Sequence, residues 1–544
     1  MKQNIIILLL IIIVVGLPFL FRKEDVKPVD ESGERLIIIT PHNEAVRHEF
    51  GLGFQEWYFQ KTGKKIFIDW RDLGGGKEVI KFISTTYENA FKNYWQNTLN
   101  KEWNDKVKLA YNKLNVDADY APGSLDAEVR DALVKSNITC GVDVLFGGGR
   151  LEISLLAGKG LFIHSGILNK HPEWFQNDII PQRFGGNYFW EPRDLWFGTA
   201  LSVFGIIFNR DALKESGITK EPTAWTDIAE PAYFGNVALA DPTMSSSVST
   251  AMEMILQQQM NEARKALDAA GYPDNEETQM LAVNEGWLKG MQVIQLICAN
   301  ARYFTDSSAK PVLDVASGNC AVGIAIDYYG LSHEENLRQR SGEERFGFSM
   351  PKGGSVVDPD PIAMLRGAPH PDRALAFIEY VLSLEGQKKW AFKLNTPGGA
   401  DRYALRRSPI RKDLYDEKYL KYRSDPDLNF YRDGGDFVYN PEWTAPYARE
   451  FRLIIKSAFI DPHQELLTAW AAIIAAEKRG DTEAAKKALK KMQNFSLIGF
   501  DQVAAEIHDT VREADPLKLI QLRRELTNRF AQQYREAARI ANNR

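Results

Sequence analysis

The sequence predicts an α/β protein with parallel sheet, interrupted by a helical insertion and followed by a helical C-terminal extension. Three observations carry this. "RLIIIT", "EFGLGFQEWYFQKTG" and "KKIFIDW" alternate strand, helix and strand with glycine turns between them. "NVALADPTMSSSVSTAMEMILQQQ" and "CAVGIAIDYYG" repeat the strand–loop–helix theme later in the chain. From about Pro446 onward the sequence reads as nearly all helix. A length of 544 residues allows two or three domains around a substantial core.

Taken in order, the chain opens with Lys2 and an apolar run from Ile5 to Phe21, followed by charge. Residues 1–24 read as a signal peptide or an uncleaved membrane anchor, because the run is apolar on every face and no small-x-small cleavage site follows it. No second span exists in the sequence, so the rest of the chain is expected outside the cytoplasmic membrane. Residues 25–33 are polar and read as a linker. Phe50, Phe54, Trp57 and Tyr58 fall at helical spacing, with Gly63 where a helix should be capped. Residues 84–135, charged and aromatic and ended by "YAPGSLD", read as a helical insertion. The α/β pattern resumes at "GVDVLFGGG". "PHPDRALAFIEYVLS" is an amphipathic helix with Ala374, Ile378, Val381 and Leu382 on one stripe and Pro371 in its first turn. Asp461-Pro462-His463-Gln464 has the spacing of a capped helix start, and Gly480 interrupts the stretch that follows.

Composition and motifs narrow the function. A net charge of −5 gives no basic footprint for nucleic acid. Cys140, Cys298 and Cys320 are too dispersed for a zinc site or a disulfide framework and are expected as buried thiols. HExxH, GxSxG and Walker lysine motifs are missing. Ser307-x-x-Lys310 and Lys61-Thr62-Gly63 match pieces of penicillin-recognising enzymes, but in the wrong order, and chance explains them. The reading is therefore a binding protein, not an enzyme.

Two kinds of loop offer binding chemistry. Gly74, Gly75 and Gly76, and Ser245, Ser246 and Ser247, stand directly before predicted helices, whose first amides and positive dipole end suit an anion. Gly147 and Gly148 follow a predicted strand. The bland alternative is that the serines are caps and the glycines turn residues. "GNCAVGIAIDYYG" ends an apolar run in Asp327, Tyr328 and Tyr329. Paired phenolates are credible ligands for a hard trivalent cation, which would supply the charge that ionises them. Side chains alternate on a strand, so both rings could meet one ion only if the strand stops there, which Gly330 permits. Otherwise one ring packs in the core and one faces solvent.

The order "TPHNEA … FQEWYFQKTGKKIFIDW … GVDVLFGGG … FGIIFNRDAL … WTDIAEPAYFGNVALADPT … ASGNCAVGIAIDYYG … PKGGSVVDPDPIAMLRGAPHPDRALAFIEYVLSLEGQ" resembles the extracellular solute-binding proteins of bacterial ABC importers, type 2 periplasmic binding proteins, and the ferric-ion-binding branch in particular. The resemblance implies a two-lobed periplasmic-binding-protein fold with a hinge. Lobe one would span 35–202, lobe two 203–346, a return segment to lobe one 347–445, and the helical extension 446–544. The hinge would fall near "GTALSVFG" and "RFGFSMPKGG". It implies a periplasmic protein that closes over a small solute and delivers it to an ABC permease in the cytoplasmic membrane. Iron-binding members use a histidine, a first-lobe carboxylate and a tyrosine pair. His42, Tyr328 and Tyr329 match, whereas the carboxylate position holds Gly147, Gly148 and Gly149, with Glu44 as a substitute. Sister proteins bind phosphonates, phosphorylated sugars or thiamine derivatives. Two ligand classes follow: Fe³⁺ with an accompanying anion and no other cofactor, or an organic anion held by the glycine and serine loops and Asp327. A sensor or scaffold whose C-terminal helices bind a protein partner, and an enzyme on the same fold, are the rival classes.

Overall fold

The computed structural model describes residues 33–342 and 344–543; the apolar run within 1–24, read above as export signal or anchor, lies outside them. In chain order the strands are β1 (Glu34–Ile39), β2 (Ile66–Arg71), β3 (Val144–Phe146), β4 (Arg183–Phe184), β5 (Asn187–Tyr188), β6 (Phe197–Ser202), β7 (Phe204–Asn209), β8 (Val237–Ala240), β9 (Ala301–Thr305), β10 (Val322–Ile326), β11 (Phe346–Ser349), β12 (Asp358–Met364) and β13 (Ser408–Pro409). One sheet runs β13-β6-β12-β3-β1-β2 and a second runs β11-β7-β10-β8-β9. Each is mixed rather than purely parallel. β1 pairs parallel with β2 and β3, and β8 with β9 and β10, while β6, β7, β11, β12 and β13 pair antiparallel. Of these, β6 and β7 flank the crossing from one sheet to the other and β11 and β12 flank the return.

Passage from the first sheet to the second takes a single residue, Val203, between β6 and β7. The return runs through 350–357, between β11 and β12, so the second sheet keeps the chain to Ser349. Two short adjacent crossovers of this kind have the form of an interdomain hinge.

Local signals explain the elements of the first lobe. β1 is apolar from Leu36 onward because both its faces are covered there: Leu36, Ile38 and Ile39 are fully buried. On one face lies the helix Glu44–Thr62, begun by the Asn43 side chain accepting from the Val46 N–H and ended at Gly63 with φ 69°. Phe50 and Phe54 of that helix pack against Phe377, Ile378 and Val381 of Pro371–Leu382, whose first position is proline as expected. The other face is covered by Val79, Ile83, Tyr87 and Phe91, which belong to a helix spanning Gly76–Asn93. The insertion assigned to 84–135 thus begins inside a helix that already caps the sheet. Its remainder, Asp105–Asn112 and Leu125–Lys135, extends the same apolar cluster.

The C-terminal helices are not a separate body. Their apolar residues join one cluster with the second lobe, from Phe204 and Ile206 through Trp287 and Met291 to Trp470, Phe530 and Tyr534. Polar contacts tie the seam: the Trp287 indole donates to the Ile498 carbonyl at 2.8 Å, and the Trp470 indole to Asn300 Oδ1 at 2.8 Å. The cap expected at Asp461 is not formed. His463–Lys478 starts after Pro462 with no side-chain cap, and the Asp461 carboxylate is drawn instead to Arg523 at 2.8 Å, an electrostatic partner on the last helix. Cys140, Cys298 and Cys320 are buried free thiols. Among the described residues, no helix is long and apolar enough to cross a membrane.

Candidate functional site

The loops at the carboxyl ends of β1, β2, β3, β8, β9 and β10 face one another across a cavity of about 550 Å³ between the two sheets. Ligands of α/β proteins collect at such strand ends. The first lobe contributes His42, Gly74, Gly75, Gly76, Gly148 and Gly149, and the second contributes Ser245, Ser246, Ser247, Ser307, Ser308, Tyr328 and Tyr329. Asp360 of β12 and Arg407, just ahead of β13, close the floor.

Five helices begin on this cavity: Gly76–Asn93, Arg150–Gly158, Ser246–Ala269, Ala309–Ala316 and Asp327–Ser341. Only the third has a side-chain cap, Ser245 Oγ accepting from the Val248 N–H at 3.3 Å. The other four start at Gly75, Gly149, Ser308 and Ile326 with no side-chain cap. Their first-turn amides have no intrahelical acceptor and stand at the positive ends of the helix dipoles, although the Ala309 N–H donates to Ser307 Oγ at 3.3 Å and the Asp327 N–H to the Val203 carbonyl at 3.0 Å.

The floor is a buried polar knot. His42 is 8% exposed and is fixed from three sides. Its backbone N–H donates to Thr40 Oγ1 at 3.0 Å, its ring meets Phe146 edge-on at 4.5 Å, and Nε2 lies 2.7 Å from Asp360 Oδ2. Gly147 is off the cavity and serves this packing: at φ 95° it brings the backbone so close that a Cβ would sit 2.7 Å from the imidazole. Arg407 pairs with Asp360, donates to Ser202 Oγ at 3.1 Å, and is flanked by the Tyr328 ring at 4.7 Å and the Trp390 ring at 4.9 Å. Burial alone would raise the Asp360 carboxyl; Arg407 and then His42 overcome it and hold it well below the usual carboxylate range.

The tyrosine pair does not end a strand. β10 stops at Ile326 and the rings occupy the first turn of Asp327–Ser341, where successive side chains diverge by about 100° rather than alternating. Both therefore line the cavity, with ring centroids 4.3 Å apart. Gly330 lies inside the helix and makes room for Phe348, whose ring would be 2.8 Å from an added Cβ. Burial, and then the neighbouring Tyr329, push the Tyr328 phenol well above its ordinary value, so it is a neutral donor in this arrangement. Asp327 lies beneath the tyrosines and off the cavity. It is 1% exposed, and burial raises it to about 7 against the lowering influence of Arg407, of the Tyr328 and Val203 backbone and of the Ser202 hydroxyl.

Asp360 and Arg407 were not anticipated from sequence; Glu44 is exposed on the first turn of its helix and Asp360 is the carboxylate that meets His42. "VVDPDPIAM", with two aspartates in an apolar strand, held the available signal. Among the described residues, no three of His, Cys, Asp and Glu are grouped as a metal-holding set.

Residues 179–406 match the model of the family described as bacterial extracellular solute-binding protein. The match takes in the second sheet and part of the first, less than half of the chain. The phosphoglycerate transport regulatory protein PgtC of Salmonella typhimurium is 28% identical over 191 residues, covering 35% of this chain and 39% of the relative. A putrescine/agmatine-binding protein of Pseudomonas aeruginosa is 25% identical over 134 residues, covering 25% of this chain and 35% of its own. The chain thus spans about two fifths of the length of the Salmonella relative that it matches. Among solved structures, fructose-6-phosphate-bound AfuA from Actinobacillus pleuropneumoniae is 17% identical with a TM-score of 0.44, over 77% of this chain and 99% of that one. Iron-bound HitA from Pseudomonas aeruginosa is 16% identical with a TM-score of 0.44, over 77% and 98%.

Proposed function

We propose that the protein is the extracytoplasmic solute receptor of an ABC importer, and that its solute is a small oxyanion such as a phosphorylated acid or sugar. The observation that carries the anion is the convergence of five helix N-termini from both lobes on one cavity, four of them without a side-chain cap. Phosphate oxygens would take these amides together with the Ser245–Ser247 hydroxyls, and closure would follow because the donors come from opposite lobes. Arg407 would contribute field from beneath while held by Asp360. Phosphoglycerate, named for the Salmonella relative, falls in the same chemical class.

A second reading is supported by His42, Tyr328 and Tyr329 lining the same cavity. As the solute, Fe³⁺ would have to ionise the buried Tyr328 phenol beside Arg407 and draw His42 from Asp360, two costs that a phosphate ester does not meet. The two are separated by native mass spectrometry of the protein as purified, followed by titration with 3-phosphoglycerate and with ferric citrate. A phosphate-ester adduct and a colourless protein are expected. A ferric adduct with a visible phenolate-to-iron band, lost in Tyr328→Phe, would replace the anion with iron.

A further inference from the structure

Adjoining the interlobe cavity at Thr250 lies a second one, of about 280 Å³, walled by three separate parts of the chain. The first lobe supplies Leu155 and Trp196, the second lobe Leu256 and Trp287, and the C-terminal extension Phe451. The extension therefore builds this cavity; without Phe451 its wall would be open. Two charged residues reach it, and both are engaged. Glu253 Oε1 accepts from the Tyr439 hydroxyl at 2.9 Å and the Thr444 hydroxyl at 2.6 Å. Arg452 donates through Nε to Ser249 Oγ at 2.8 Å and pairs with Glu152 at 3.3 Å. Aromatic walls with charges already satisfied call for a ligand without charge.

We propose that this cavity binds a small uncharged aromatic molecule, at a site distinct from the solute cleft. An apolar cavity of about 150 Å³ holds a benzene ring, so about 280 Å³ suits a fused bicycle of roughly ten heavy atoms. Such a molecule gains dispersion contacts with the Trp196, Trp287 and Phe451 rings. Because its walls belong to both lobes and the extension, its presence favours the arrangement in which the three stand together.

The test uses 5-fluoroindole and the full chain, with binding read by fluorine NMR. Saturable binding is expected for the native protein and for Leu155→Ala, and at least a tenfold weakening for Leu155→Trp, whose indole fills the cavity from a half-buried position. Leu155→Phe is the smaller fill should the tryptophan variant fail to fold, with circular dichroism as the check. The charged analogues tryptamine and indole-3-acetate should bind at least tenfold more weakly. Absence of saturable binding, or binding undiminished in a folded filled variant, overturns the site; equal binding of the charged analogues overturns the ligand class. 3-Phosphoglycerate affinity is measured in the same variants. Its loss would not bear on the second site, and its failure in the native protein would fall on the proposed solute alone.

Discussion

Two aspartates near the floor of the cleft have opposite electrostatic fates, and each makes a different prediction. Asp360 is buried but paired with Arg407 and His42, so its folded value lies below the unfolded one. Its contribution is present above about pH 4 and is lost as pH falls further. Removing the cation with Arg407→Met strands that carboxylate and should cost about 3–5 kcal/mol in chemical denaturation. Adding Asp360→Asn should return most of the loss, and a double variant no better than the single one would refute the pairing. Asp327 is raised by burial to about 7. Between about pH 4 and 7 the unfolded chain gives up this proton while the folded one keeps it, so stability falls as pH rises, by up to about 4 kcal/mol. Asp327→Asn should therefore stabilise the protein at pH 8 and leave it unchanged at pH 4. Equal denaturation midpoints at pH 8 would show that the carboxylate is solvated by other means.

At the scale of elements, the sequence disclosed what is local and hid what is distant. Glycine and serine runs before helices are readable because their cause, the need for small or hydroxyl groups at a helix start, lies within a few residues. The floor was hidden because His42 meets Asp360 and Arg407 across 318 and 365 residues of chain, which no local pattern encodes. The tyrosine pair was misplaced on a strand because an apolar run gives no sign of where β10 hands over to helix; the change of period from two to 3.6 happens inside "IDYY". Gly149 tests how closely the lobes meet. Its φ of −98° suits any residue, yet an added Cβ would lie 3.0 Å from Ser246 Cβ of the other lobe and 2.3 Å from Glu152 Oε2. Gly149→Ala should thus leave thermal stability within about 1 kcal/mol and weaken solute binding several-fold by resisting closure. Unchanged affinity, with unchanged compaction in small-angle scattering, would place closure on other contacts.

For the whole molecule, the α/β rhythm and the helical ending were legible, but not that the ending completes the second lobe. An amphipathic helix announces that it has an apolar face without naming what covers it. Here the faces of Glu276–Asn300 and of the terminal helices cover each other: Trp287, Met291, Ile294 and Cys298 are fully buried within one cluster that includes Trp470, Phe530 and Tyr534. Each large side chain in that seam is worth about 1.5–3 kcal/mol of burial, so removing residues 446–544 exposes more apolar surface than the lobe can tolerate. The truncated chain should aggregate, while the first lobe keeps its own two clusters. Native-state hydrogen exchange gives the sharper reading. If lobe and extension form one cooperative unit, slow amides in Glu276–Asn300 and in His463–Lys478 should open with the same free energy. Tyr534→Phe removes a hydroxyl that donates to the Ala458 carbonyl at 2.9 Å and accepts from Gln295 at 3.0 Å. It should lower both opening energies together by about 1–2 kcal/mol. A drop confined to the terminal helices would make the extension a separately folding appendage, and the second cavity would then lose the rigid wall that Phe451 gives it.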